Sequence, residues 1–220
     1  MKMDDLKLPK ELLKIIKASG VEELRPSQKK AIKAGLLENK NLLVCTPTAS
    51  GKTLIAEIAI MKNIMERRGK GIYIVPLKAL GSEKYKDFKK KYEGHANVAL
   101  SIGDLDKTES YLGQYDIIVA TSEKLDSLIR HHTPWLADVA TIVVDEVHLL
   151  NDPGRGPTLE ILLTILKEIL PKAQIIALSA TIGNPTELAN WLEAELVEDT
   201  WRPVKLEKGI YGKKLEFYNT

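Results

Sequence analysis

Short apolar runs alternate along the chain with longer amphipathic segments. Six of these runs are rich in Ile, Val and Leu with little alternation, which is typical of strands that helices cover on both faces. Strands that alternate with helical segments predict stacked β-α units. We therefore expect an α/β fold with a mainly parallel central sheet, whose strands lie at 41–45, 71–75, 98–102, 116–120, 141–144 and 174–178.

Helical spacing and helix start and stop signals predict four helices around these strands. Pro9 and Gly20 bracket the first helix, Pro26 opens the second and Pro171 follows the fourth. The predicted helices are 9–19, 26–37, 52–68 and 158–170. We expect one domain over residues 1–200, with N-terminal helices in 1–38, and a basic, aromatic connector strand over 201–220.

Length and composition exclude several classes of protein. The chain has 220 residues, of which 44% are hydrophobic, so it is too apolar to be disordered. No apolar run approaches the ~20 residues of a membrane helix, and the start of the chain lacks the apolar stretch of a secretory signal. The single cysteine, Cys45, excludes an internal disulfide framework. We expect a cytoplasmic protein without a membrane partner.

The charge is unevenly distributed although the net charge is only +2. Residues 61–95 carry ten Lys and Arg against four Asp and Glu, whereas residues 138–199 carry three basic and eleven acidic residues. A basic region suits a phosphate-backbone ligand such as nucleic acid. Solvated helix faces would account for the same pattern, so charge alone does not identify the ligand.

A candidate phosphate loop follows the first predicted strand directly and leads into a helix. Backbone N–H groups of such a loop cradle a β-phosphate, Lys52 would meet the β- and γ-phosphates, and Thr53 would offer its hydroxyl to Mg²⁺. Thr46 replaces the usual first glycine, so a coincidental Ser-Gly-Lys-Thr turn is the alternative. The loop consists of Thr46, Pro47, Thr48, Ala49, Ser50, Gly51, Lys52 and Thr53.

An acidic pair follows the predicted strand 141–144. Ligands of parallel α/β sheets bind outside the carboxyl ends of the strands, so Asp145 and Glu146 are expected beside the phosphate loop. Asp145 would hold Mg²⁺ and Glu146 would polarise the attacking water. A helix cap or turn is the alternative for such a pair alone. Together with the phosphate loop it predicts a catalytic site for ATP hydrolysis, formed by Lys52, Asp145 and Glu146.

Seven segments together resemble a known family. The phosphate loop, the DEVH sequence at 145–148 and the SAT sequence at 179–181 resemble motifs I, II and III of superfamily 2 (DEAD/DEAH-type) helicases. Four further segments, at 24–28, 75–80, 121–128 and 155–160, resemble the superkiller-like branch, and most closely its archaeal Hjm-type DNA repair helicases. This resemblance covers about residues 8–211 and implies the first RecA-like lobe, a P-loop NTPase domain.

The resemblance implies further site residues. Gln28 would read adenine, and His148, Ser179, Ala180 and Thr181 would couple the ATP site to strand movement. Thr121 and Ser122 are equally suited to cap a helix, and Ser179 and Thr181 are equally suited to a structural role. Phosphate contacts of this kind imply single-stranded DNA binding without sequence preference. The implied nucleic-acid contacts are Pro76, Lys78, Ala79, Gly103, Asp104, Thr121 and Ser122.

A second RecA-like lobe, which would bring arginine fingers to the γ-phosphate, has no counterpart in the sequence. We expect a monomeric, isolated lobe, either a natural fragment or a truncated form, whose partner lobe lies in cis in the parent protein. Loss of arginine fingers costs about 10³–10⁵ in turnover in related sites. The lobe should therefore bind MgATP, hydrolyse it poorly and not unwind, although its parent would be an ATP-dependent 3′–5′ DNA helicase.

Three other functions fit parts of the same sequence. An RNA helicase lobe shares the motifs, and only the likeness to repair helicases favours DNA. A nucleotide-gated binding module without turnover would have no need of Glu146 as a base. A small, self-sufficient P-loop kinase or NTPase would need a lid with paired arginines, which the sequence lacks.

Overall fold

The computed structural model describes residues 5–103, 109–204, 208–211 and 215–218. The strands are β1 (Leu42–Cys45), β2 (Lys70–Val75), β3 (Val98–Ser101), β4 (Ile117–Thr121), β5 (Val139–Val144), β6 (Gln174–Ser179), β7 (Glu195–Glu198), β8 (Lys208–Tyr211) and β9 (Leu215–Tyr218). The α-helices are α1 (Lys10–Ala18), α2 (Pro26–Lys33), α3 (Lys52–Met65), α4 (Lys78–Lys91), α5 (Ser122–Arg130), α6 (Gly156–Ile169) and α7 (Pro185–Trp191).

Seven strands form one parallel sheet in the order β3-β4-β2-β5-β6-β1-β7. The strand that precedes the phosphate loop, β1, pairs with β6, and β6 pairs with β5, which precedes the acidic pair. One strand therefore separates the two motifs. Both lie on internal strands, as the interpretation of the acidic pair requires.

Helices cover both faces of the sheet because successive strand residues point to opposite sides. Tyr73 and Val75 pack into the core beneath α1–α4, whereas Ile72 and Ile74 pack into the core beneath α5–α7. Strands covered in this way must be apolar on both faces, which explains their near-continuous Ile, Val and Leu runs. The predicted α/β class and parallel sheet are confirmed.

The six predicted strands are all present, with ends that differ by at most two residues. Two predicted helices are too long. Gly35 and Arg67 have φ values of 106° and 55°, so the backbone turns left-handed soon after α2 and α3. The strand β7 was not predicted, because this short edge strand has an exposed glutamate at each end. In the predicted connector segment, β8 and β9 pair antiparallel.

No helix in the described part of the chain is long and apolar enough to cross a membrane.

Candidate functional site

The carboxyl ends of the parallel strands gather the predicted site residues at one edge of the sheet. The phosphate loop follows β1, Asp145 follows β5, and Ser179 ends β6 between them. The amide N–H of Thr46 donates to the carbonyl of Ser179 at 3.2 Å, so the loop continues the pairing of β1 with β6. The phosphate loop and the acidic pair, which the sequence separates by about ninety residues, therefore lie at the same edge of the sheet with one strand between them.

The phosphate loop turns tightly between β1 and α3. Ala49 and Gly51 have left-handed φ values of 63° and 94°. Thr46, which stands where a glycine is usual, does not have a positive φ, and its hydroxyl is 2.7 Å from Ser50 Oγ. A buried pair of hydroxyls therefore holds the base of the loop, so this position needs no glycine. Thr46, Pro47 and Ser50 are buried, Gly51, Lys52 and Thr53 are half-buried, and Thr48 and Ala49 are exposed.

The side chain of Lys52 folds back over this loop. Its Nζ donates to the carbonyls of Thr46 at 2.8 Å and Pro47 at 3.4 Å. Burial lowers the pKa of Lys52, while the carboxylates of Glu146 and Asp145 act in the opposite direction. A partly desolvated ammonium held by neutral carbonyls is suited to an anionic ligand, because an anion would restore the stability of its charged form. The residues of the loop thus fit a phosphate.

Gln28 lies directly against the phosphate loop. Its Nε2 donates to the Gly51 carbonyl at 3.0 Å, and its Oε1 accepts from the Arg25 amide at 2.8 Å. A Cβ on Gly51 would lie 2.5 Å from Gln28 Nε2, so only glycine allows this approach. Arg25 Nη1 also donates to the Ala49 carbonyl at 2.5 Å. Each polar atom of the Gln28 amide keeps one further hydrogen-bonding position for a base.

A cleft of about 580 Å³ opens beside Gln28 and the loop. Pockets of about 300–1,000 Å³ hold small molecules in proteins. Glu57 and Lys91 line part of the wall and form an ion pair of 2.5 Å, while the Tyr92 hydroxyl donates to the same carboxylate. The cleft is large enough for a nucleotide base and sugar, and its lining includes Gly20, Glu22, Arg25, Gln28, Thr53 and Leu54.

The acidic pair is held in a fixed orientation after β5. Asp145 accepts two hydrogen bonds, one to Oδ2 from the Tyr73 hydroxyl at 2.8 Å and one to Oδ1 from the Glu146 amide at 3.1 Å. Glu146 has a left-handed φ of 52°, and its Oε2 lies 3.3 Å from Nδ1 of His148. The same Nδ1 accepts from the Ala180 amide at 3.5 Å, so His148 contacts both the acidic pair and the end of β6.

Thr53 and Asp145 provide the oxygen ligands that Mg²⁺ prefers. Lys84 Nζ on α4 donates to Thr53 Oγ1 at 3.3 Å. Within the described residues, no group of three or more His, Cys, Asp or Glu side chains could hold a metal ion by itself. The donor set therefore fits Mg²⁺ that shares its remaining ligands with phosphate and water, as that ion usually does.

The predicted nucleic-acid contacts lie at the neighbouring strand ends, after β2, β3 and β4. Lys78 and Ala79 are exposed at the first turn of α4, Pro76 is half-buried, and Gly103 is exposed. Asp104 lies outside the described residues. Thr121 and Ser122 are buried at the start of α5.

Thr121 acts as a helix cap in this structure. Its hydroxyl accepts from the Lys124 amide at 3.4 Å, which is the N-cap contact that the sequence also allowed. Ser179 is fully buried at the end of β6, whereas Thr181 is exposed. The predicted coupling residues thus differ: Ser179, Ala180 and His148 lie in the packed site, and Thr181 faces solvent.

A family model for the DEAD/DEAH box helicase matches residues 25–188, which include the phosphate loop and the acidic pair. The chain belongs to the DEAD/DEAH box helicase family. The resemblance that the motifs predicted is confirmed.

Two similar proteins are much longer than this chain. The chain is 57% identical over 216 residues to the ATP-dependent DNA helicase Hel308 of Methanocaldococcus jannaschii and 50% identical over 218 residues to that of Pyrococcus abyssi. These alignments cover 94% and 99% of the chain. The chain spans only 18% and 30% of the length of these two relatives.

Solved helicase structures have the same fold. The crystal structure of the DUF1998 helicase MrfA bound to DNA and AMPPNP matches 88% of the chain, with a TM-score of 0.77 and 25% identity, and the chain covers 29% of it. A second structure, of MrfA bound to DNA, matches with a TM-score of 0.76 and 23% identity. The predicted RecA-like fold is confirmed.

Three residues of this helicase site escaped the sequence analysis: Tyr73, Lys84 and Arg25. Of these three, only Tyr73 could have been suspected from the pattern of its strand in the sequence. It is the one polar-tipped residue in the otherwise aliphatic core of β2, and a buried hydroxyl requires a partner. Lys84 and Arg25 resemble ordinary surface cations in the sequence, because only the packing of α4 and α2 brings them to the loop.

Proposed function

We propose that the chain is the ATP-binding motor lobe of an ATP-dependent DNA helicase. The main support is that the phosphate loop and the acidic pair lie at the same edge of the sheet, where the charges of Asp145 and Glu146 act on Lys52. The names of the relatives, which are ATP-dependent DNA helicases, support DNA over RNA as the nucleic acid. The proposed lobe covers residues 1–200, with 201–220 as the connector to a second lobe.

In this proposal the phosphate loop and Gln28 bind ATP. Loop N–H groups and Lys52 hold the phosphates. Gln28 pairs with adenine through the second N–H of Nε2 and the second lone pair of Oε1, which its hydrogen bonds to the backbone of Gly51 and Arg25 leave available. The base and sugar occupy the adjoining cleft. A bound phosphate would stabilise the charged form of Lys52, which burial disfavours, and this supplies part of the affinity.

The chemical step is assigned to the acidic pair. Bound Mg²⁺, held by Thr53 and Asp145, would neutralise developing phosphate charge. Glu146 orients a water molecule and accepts its proton, and Nδ1 of His148 lies 3.3 Å from its Oε2. Because His148 also accepts from the Ala180 amide, movement at the end of β6 would reach the base directly. This contact supports the coupling role of His148, Ser179, Ala180 and Thr181.

Single-stranded DNA is assigned to the ends of β2, β3 and β4. Exposed Lys78 supplies a cation, and exposed backbone at Ala79 and Gly103 supplies N–H groups for phosphates. Pro76, Asp104, Thr121 and Ser122 complete the proposed contact set. Binding through phosphates should be independent of sequence and should weaken with salt.

The remaining length of the relatives supports a second lobe that completes the site. In the whole protein, such a lobe would bring arginine fingers and permit unwinding in the 3′–5′ direction. The chain by itself should be a monomer that binds MgATP but turns it over slowly, because a missing arginine finger costs about 10³–10⁵ in rate in related sites.

The test is MgATP binding by titration calorimetry and steady-state hydrolysis on this chain, with and without single-stranded DNA. We expect saturable binding with slow hydrolysis that DNA does not accelerate. Brisk turnover would mean that the site is complete within 220 residues and would overturn the incomplete-lobe proposal. Equal competition by single-stranded RNA for the DNA site would overturn the preference for DNA.

Glu146→Gln tests the assignment of the base. The variant should retain MgATP binding, because the amide keeps the shape of the side chain, but it should lose the hydrolysis of the full-length helicase, because it cannot accept a proton. Hydrolysis at the wild-type rate would show that Glu146 is not the base.

A further inference from the structure

Tyr73 is a fully buried tyrosine that neither the motifs nor the family comparison assigns to the site. It lies in β2, with its ring in edge-to-face contact with Phe88 of α4 at 5.2 Å between ring centroids. A buried hydroxyl costs free energy unless it is hydrogen-bonded. Phenylalanine would fill the same space without this desolvation cost, so the hydroxyl is expected to have a role of its own.

The hydroxyl holds one of the two side chains that we propose as Mg²⁺ ligands. It donates to Oδ2 of Asp145 at 2.8 Å. A tyrosine hydroxyl has one proton, and here that proton lies in the hydrogen bond to Asp145.

The carboxylate of Asp145 is oriented by the same arrangement. Tyr73 holds Oδ2, and the amide of Glu146 holds Oδ1 at 3.1 Å. Burial and the Asp145 charge raise the pKa of Tyr73 well above its usual range.

We propose that Tyr73 is a positioning residue of the Mg²⁺–nucleotide site, which orients Asp145 through one buried hydroxyl. The inference rests on the proposed function, since it concerns the same metal site. Partners of this kind, which touch metal ligands and not the metal, fix ligand orientation and typically contribute 10–100-fold to metal affinity.

Tyr73→Phe removes one oxygen atom and keeps the ring that packs on Phe88. The measurement is binding of a fluorescent ATP analogue to the whole chain at increasing Mg²⁺, with a parallel titration in EDTA. We expect Tyr73→Phe to need about tenfold more Mg²⁺ for half-maximal enhancement of binding. Binding of the nucleotide in EDTA should be unchanged, because the hydroxyl holds Asp145 and not Lys52, which we propose to hold the phosphates.

Tyr92→Phe is the matched control. Tyr92 is also buried and also donates to a carboxylate, that of Glu57, but it does not contact Thr53 or Asp145. Both variants should unfold at a lower temperature than the wild type, since each leaves a carboxylate with one hydrogen bond fewer. Only Tyr73→Phe should shift the Mg²⁺ dependence.

The outcomes distinguish this inference from the proposed function. A Tyr73→Phe variant with the wild-type Mg²⁺ dependence would overturn the positioning role and leave the proposed function intact. An equal shift in both variants would mean that general loosening of the core is responsible, which also overturns it. Wild-type binding that does not respond to Mg²⁺ would overturn the proposed metal site itself.

Discussion

The sheet edge that we propose as the functional site has two halves, one for nucleotide and one for nucleic acid, and they are built differently. The nucleotide half, at the ends of β1, β5 and β6, is a network in which most polar side chains already have protein partners, such as Lys52 on two carbonyls and Asp145 on Tyr73. The nucleic-acid half, at the ends of β2, β3 and β4, presents exposed groups, including Lys78, Ala79 and Gly103. One edge thus combines a rigid site with an open surface.

The chemistry proposed for each half accounts for this difference. Holding a metal ion and a reacting phosphate requires side chains fixed within about half an ångström, which a network of buried hydrogen bonds provides. Holding a repeating sugar-phosphate backbone requires only cations and N–H groups that the strand can reach. We therefore expect substitutions in the nucleotide half to have larger effects than those in the nucleic-acid half.

The largest effect is expected from Lys52→Ala in the nucleotide half. Each hydrogen bond to a charged group contributes about 1.5–3 kcal/mol, so the lost contacts to two phosphates should weaken MgATP binding by at least about 100-fold. Titration calorimetry measures this change directly. Lys33→Ala, which removes an exposed lysine of α2, is the control and should bind like the wild type. Unchanged affinity of Lys52→Ala would contradict the phosphate-loop assignment.

A smaller effect is expected from Gly51→Ala, which tests how closely Gln28 must approach the loop. Alanine at this left-handed φ of 94° costs about 1–3 kcal/mol of folding free energy, and its Cβ would lie 2.5 Å from Gln28 Nε2. Gly94→Ala is matched, because its φ is 75° but nothing lies within 4 Å of the new Cβ.

Chemical denaturation should therefore show a larger loss of stability for Gly51→Ala than for Gly94→Ala. The excess should be about 1 kcal/mol, the value of one hydrogen bond of Gln28. Nucleotide binding should fall only in Gly51→Ala. Equal losses in the two variants would mean that Gln28 moves aside freely, and that the nucleotide half is less rigid than we describe.

The smallest effect is expected from Lys78→Ala in the nucleic-acid half. One fewer phosphate contact should make the slope of log K against log salt less steep by about 0.7 for single-stranded DNA. Near 0.15 M salt, this loss corresponds to about fourfold weaker binding. Fluorescence anisotropy of a labelled oligonucleotide measures both. Lys86→Ala, an exposed lysine two turns along the same helix, should leave the slope unchanged. An unchanged slope for Lys78→Ala would remove Lys78 from the DNA contact.

Much of the fold could be predicted because parallel strands that are buried on both faces are apolar throughout. The β2 and β6 runs are unambiguous for this reason. The edge strand β7 could not be predicted, since its partner lies on one side only and two of its four residues are exposed glutamates. Helix ends were also missed where left-handed residues such as Arg67, which carry no glycine signal, end the helix.

The candidate site was predicted to the extent that its residues are contiguous in sequence. The phosphate loop and the acidic pair can each be identified locally, because a strand, a turn and a helix start place them. Gln28 was predicted from resemblance as an adenine contact, and the structure adds two backbone bonds that tie it to Arg25 and Gly51. Thr121 is a cap in the structure, while its predicted DNA contact stays a prediction.

The amino-acid sequence by itself determined six of the seven strands of the parallel sheet, the two chemical motifs and the family, because each is encoded in consecutive residues whose spacing follows the backbone. Only the tertiary structure decided which strand separates the motifs and which distant side chains meet them. Tyr73 reaches Asp145 across 72 positions of sequence, and Lys84 reaches Thr53 across 31. Such contacts depend on strand order and helix packing, which arise from the burial of the whole core and not from any local pattern.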